Sequence, residues 1–218
     1  GASVRPEMRT KNGRDARYHR VMNDTTTTEL NGIEIVAFED AAAWGAWLAD
    51  NWERQEGVWI RMAKKASGIP SVTWAEAVDV ALCWGWIDGQ RKGFDTNHSI
   101  LKFTPRRKRS LWSQINVGKV EALIAAGRMR EPGLAEVERA KADGRWEAAY
   151  ASPSAAEVPA DLETALDANP AARAAFDALN RSSRYLILHQ LMTARTEATR
   201  ARRLERAIAR LANGETAR

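Results

Sequence analysis

The stretch Trp84–Ser113, WGWIDGQRKGFDTNHSILKFTPRRKRSLWS, decides the fold class and carries the most distinctive chemistry of the chain. After Gly85, residues Trp86 to Lys92 predict an extended segment. Ile100 to Thr104 predict its hairpin partner across Gly93-Phe94-Asp95-Thr96-Asn97. Pro105 closes that second strand, because proline has no N–H to give to a ladder. Upstream, Thr73-Trp74-Ala75-Glu76 has the spacing of a capping box and predicts a helix from Trp74 to about Trp84. Downstream, Ser110 is the expected N-cap of a helix whose Ile115, Val120, Leu123 and Ile124 form an apolar stripe ending at Gly127.

Working outward, Ile33, Ile35 and Val36 make a short extended entry, and Asp40 can cap a helix with Trp44, Trp47 and Leu48 on one face. Val58–Ala63 reads as a strand after Gly57. Pro132 opens a further helix with Leu134 and Val137, stopped by Gly144. Pro153 and Pro159 mark a linker, beyond which Leu162, Leu166, Phe176, Leu179, Leu186, Leu191, Leu204, Ile208 and Leu211 recur at helical spacing. The expected class is therefore α+β. Residues 1–31 form a flexible basic leader, 32–146 a small antiparallel sheet packed with helices, 147–160 a linker and 161–214 a helical C-terminal module.

The 218 residues carry a formal charge of +5, but the charge is segregated. Residues 1–22 sum to +4, 23–90 to −7, 91–119 to +7, 120–180 to −5 and 181–218 to +6. Local basic surfaces thus matter more than the total. No run approaches the roughly 18 apolar residues of a membrane span. The basic leader has no apolar stretch behind it of the kind an export signal needs. A single cysteine, Cys83, excludes an internal disulfide and a cysteine-built zinc site, so the expected location is the cytoplasm.

No nucleophile elbow, Walker loop, His-Glu-x-x-His or dinucleotide fingerprint is present, and the three histidines lie far apart in sequence. No catalytic residue, metal or cofactor is assigned on these grounds, and the balance leans away from an enzyme. The strongest chemical signal is the run Arg106-Arg107-Lys108-Arg109 between a strand end and a helix start. Guanidinium forks beside free helix N–H groups suit a phosphate or carboxylate. The expected anion site is Arg106, Arg107 and Ser110, with Trp86, Trp112, Asp88 and Arg91 as walls and orienting groups. A solvated basic turn that pairs with the acidic 23–90 half is the bland alternative.

Three other readings remain. Nucleic acid could track the basic turn and the arginines at 195, 200, 202, 203, 206 and 210. A small anionic substrate could be turned over with Asp88 as acid-base, or a protein partner could meet an apolar patch on the C-terminal helices.

The segments Ile69–Trp74, Ala81–Gly89, Phe103–Arg107, Ser110–Asn116 and Ala126–Met129 follow one another in an order that resembles the YdeI or OmpD-associated family, also labelled bacteriocin-protection. Thr196–Leu204 looks like that family's C-terminal helix, and the resemblance spans about 33–214. It implies a role in tolerance of cationic antimicrobial peptides or other stress, and it supplies no catalytic residues. Some members are described as porin-associated or periplasmic. A cationic peptide would be repelled by the 91–119 surface and attracted by the acidic half.

Overall fold

The computed structural model describes residues 28–215. The expected leader lies outside the described residues up to position 27, and its last residues are already structured. Strand β1 (Glu29–Leu30) pairs antiparallel with β2 (Ile33–Ala37) through Asn31-Gly32, both at positive φ. That is the backbone a tight two-residue hairpin needs and that an Asn-Gly pair accepts at little cost.

From β2 the chain passes through α1 (Ala41–Asn51) to β3 (Val58–Ala63), through α2 (Trp74–Cys83) to the hairpin β4 (Trp86–Gly93) and β5 (His98–Pro105). The sheet order is β1-β2-β3-β5-β4. Class and hairpin are as expected, but the sheet is mixed: β2 and β3 run parallel, with Val36 opposite Ile60. The cause is α1, which carries the chain back along the sheet before β3 begins, as a parallel pair requires. Strand β3 lies between two partners, and Val58, Trp59, Ile60 and Met62 are all buried.

The helix caps follow the local sequence. Asp40 accepts the Ala43 N–H at 2.8 Å. In α2, Glu76 N–H donates to the Thr73 hydroxyl while the Thr73 N–H donates to Glu76 Oε2 at 2.9 Å. Between sheet and helices sits an aromatic core. Trp44 stacks on Trp47 at 5.4 Å and meets Trp86 edge-on at 6.1 Å and Phe103 at 5.6 Å. The buried indole N–H groups of Trp44 and Trp86 donate to the carbonyls of Ala77 and Trp52, so these large rings enter the core without stranding a donor.

Two helices close this unit, α3 (Gln114–Ala125) and α4 (Glu131–Ala142). Ser113 caps α3, accepting the Asn116 N–H at 3.2 Å. The cap expected at Ser110 is therefore three residues too early. Trp112 is held extended because its carbonyl accepts the Tyr150 N–H, while the Tyr150 carbonyl accepts Gln114 N–H. Ser110 instead ties the basic turn, its hydroxyl accepting the Arg107 N–H at 3.0 Å.

The remaining helices, α5 (Ala160–Asp167), α6 (Pro170–Ala178), α7 (Arg181–Met192) and α8 (Glu197–Ala212), share a second apolar core of Leu162, Leu166, Phe176, Ile187, Leu188 and Leu191, among others. At the junction of the two cores, the Tyr185 hydroxyl donates to the Ala151 carbonyl at 3.0 Å and the Tyr150 and His189 rings meet edge-on at 4.8 Å.

Candidate functional site

The start of α4 is built against the end of α2 through main chain. Arg130 N–H donates to the Cys83 carbonyl at 3.0 Å, and a Cβ at Gly133 would lie 2.2 Å from that same oxygen. Gly85, at φ +75°, ends α2 and accepts the Arg106 N–H at 2.9 Å. These contacts bring the end of α2, the end of β5 and the first turns of α4 around one open cleft of about 710 Å³. Arg106, Arg107 and Lys108 come from the basic turn, Arg130 from the cap of α4 and Arg139 from α4 itself, against the two acids Glu131 and Glu136. Trp52, Trp84 and Trp86 supply aromatic wall.

Arg106 is the unusual member. In the sequence it belongs to a run of four cations, yet its side chain is only 5% exposed while Arg107, Lys108 and Arg109 reach solvent. Its guanidinium lies 3.7 Å from the centre of the Trp112 ring, and Nη2 donates to the Leu111 carbonyl at 2.7 Å. Nε and Nη1 are buried without a hydrogen-bond partner among the described residues. Burial pulls its pKa down to about 10, against the opposing charge of Glu136, so it stays a cation at neutral pH.

Glu136 is the acid facing this charge from α4. It is buried, with Oε1 accepting from Arg139 at 2.5 Å and Oε2 left without a partner. Burial raises its carboxyl above the ordinary range, and Arg139, Arg106 and Arg145 hold it back. Arg145 lies buried behind the turn, bonded to Asp143 and to the Ser110 carbonyl, with Nη2 unpartnered. Such groups are costly: each buried polar atom left unmade costs about 1–3 kcal/mol, more when charged. Several of them lie in and behind the wall of one cationic cleft.

Of the seven residues expected at the site, Trp86, Arg106 and Arg107 line this cleft. Ser110 and Trp112 support it from beneath, as the tie and the platform of the turn. Asp88 and Arg91 sit farther along β4 and are not among its lining residues. Asp88 accepts the Trp74 indole N–H at 3.1 Å, and Arg91 donates to the Ser99 hydroxyl at 3.2 Å beyond a bulge in β4. Sequence reasoning missed Arg130, Arg139 and Glu136. The signal for Glu136 was present: Gly133, Glu136, Val137 and Ala140 fall at the i, i+3, i+4, i+7 positions of one helix face, and all four are buried.

The C-terminal arginines are largely committed within their own module. Arg200 grips Asp161 and the Leu191 carbonyl, Arg203 donates to the Gln190 carbonyl, and Arg210 pairs with Glu215. Among the described residues no helix is long and apolar enough to cross a membrane.

Comparison with known proteins separates the two cores. Residues 36–136 match the model described as a domain of unknown function, DUF8412, and that stretch contains the motifs quoted between 69 and 129. No curated protein and no solved structure matches significantly. The helical C-terminal stretch, residues 155–214, matches the family described as bacteriocin-protection, YdeI or OmpD-associated.

Proposed function

We propose that the protein is a cytoplasmic binding protein for a small phosphate- or carboxylate-bearing ligand, held in the cleft between the basic turn and α4. The observation that carries this reading is Arg106: a nearly buried charged side chain lining a cleft of five cations and two acids, with two buried nitrogens that have no hydrogen-bond partner among the described residues. Arg107 and Lys108 at the rim draw the anion in, and Arg106 bonds it where water is scarce and charge-assisted hydrogen bonds are strongest. The bacteriocin-protection match supports a cellular role in tolerance of antimicrobial peptides or stress, in which the bound ligand and not the peptide meets the cationic surface.

The test is calorimetric titration with inorganic phosphate at two salt concentrations. Arg106→Ala with Arg107→Ala should abolish binding. Arg107→Ala with Lys108→Ala, both at exposed positions, should weaken it with the fold intact by circular dichroism. Unchanged affinity in both double variants would falsify the assignment.

A further inference from the structure

Two residues that line the cleft keep unpartnered atoms of opposite kind, buried in its wall. Arg106 keeps two nitrogens with hydrogen to donate, and Glu136 keeps one oxygen able to accept. The two side chains stand near enough for each to shift the other's proton affinity. Had they bonded directly, both deficits would have vanished together; both persist. Whatever completes the site must therefore offer an acceptor to Arg106 and a donor to Glu136. A fully ionised anion such as sulfate, which has only acceptors, can satisfy the arginine but not the carboxylate.

The aromatic wall adds a shape. Trp52 is 37% exposed and Trp84 is half-buried, and both line the same cleft with Arg130 over the Trp84 ring. Indole faces favour flat rings, and stacking a base on an aromatic side chain is worth about 1–3 kcal/mol. Resting on the anion-binding reading, we infer that the cleft takes a purine nucleoside monophosphate. The base edge presents an N–H to Glu136 and a neighbouring acceptor to Arg106, the ring lies against the tryptophan wall, and the phosphate lies toward Arg107, Lys108 and Arg139. An arginine fork on a purine acceptor and a carboxylate on a base N–H are the pairings that base-edge recognition uses.

Glu136→Gln makes the inference sharp, because the sign of its effect depends on the ligand. For a simple anion, neutralising a nearby carboxylate strengthens binding. For a ligand that donates to that carboxylate, it weakens binding. Titration of the full chain with GMP, ribose 5-phosphate and inorganic phosphate should find GMP tightest, by about tenfold over ribose 5-phosphate. Glu136→Gln should cut GMP affinity about tenfold and leave ribose 5-phosphate equal or tighter. Ribose 5-phosphate binding as well as GMP overturns the inference and leaves the anion site standing, with water bridging the two side chains. Loss of both affinities in Glu136→Gln makes Glu136 structural and also overturns it. A short single-stranded oligonucleotide that binds tighter than GMP with a steep salt slope would overturn it in favour of nucleic acid. Silence with all probes, inorganic phosphate included, defeats the anion-binding reading itself.

Discussion

Arginine does different work in the two halves of this molecule. In the helical module each structural guanidinium is spent on the chain itself: Arg173 holds Glu163 and Asp167 at 2.6 Å, Arg184 caps the Phe176 and Asp177 carbonyls, and Arg200 joins Asp161 to the Leu191 carbonyl. No residue buried in that module is polar among those described, and its unpartnered buried atoms number none. Around the cleft the pattern reverses. Arg106, Arg145 and Glu136 are buried with bonding capacity left over, and Arg107, Lys108 and Arg109 stand exposed with no ion pair to the described residues. A side chain used for stability shows where its bonds go; on the proposed reading, one kept for a ligand shows bonds it has not made.

The hardest blow to this contrast comes from the helical core. Phe176→Ala should cost about 3–5 kcal/mol, because Phe176 is fully enclosed by α5, α7 and α8 neighbours. All nine tryptophans lie between 44 and 146, so fluorescence follows the first core alone while circular dichroism follows the helices of both. Loss of helical signal with the tryptophan transition unmoved would show that the cores are stable independently. A joint shift would show that the Tyr150–His189 junction couples them.

Arg106→Met should abolish ligand binding while leaving stability to urea about unchanged, since losing the Leu111 hydrogen bond and the charge facing Glu136 offsets the relief of a buried cation with two unmade bonds. A marked loss of stability would make Arg106 a staple like those of the helical module and erase the difference between the regions.

The smallest effect tests the other side. Arg200 holds the Asp161 carboxyl below its ordinary range, chiefly through their hydrogen bonds. A depressed carboxyl contributes stability above its unfolded-state value and loses it as pH falls through the folded one. The stability gap between the wild type and Arg200→Ala should therefore be flat near neutrality and close in acid. It should stay below about 1 kcal/mol, because both side chains are part-exposed.

Much of the fold was legible because it is local. Asp40, Thr73 with Glu76, and the β4–β5 hairpin announce themselves within a few residues. The parallel β2–β3 pair did not, because its partner lies across a helix and only the finished sheet sets its direction. Ser110 and Ser113 precede the same apolar run, and what separates them is Tyr150, a residue distant in sequence that holds Trp112 extended. For the site, the basic run was visible, but which of its four members turns inward depends on the Trp112 platform and on α4. Asp88 looked central because it is two residues from Trp86; the strand carries it along the sheet to Trp74 instead.

The contact of Gly133 with the Cys83 carbonyl means that the width of the cleft is fixed by peptide groups and not by the side chains that line it. Shape and charge are thereby separable properties. Exposed positions such as Arg107 and Lys108 can change sign or size without moving the walls. One frame can thus be retuned from ligand to ligand by a handful of surface substitutions, so long as position 133 keeps its hydrogen.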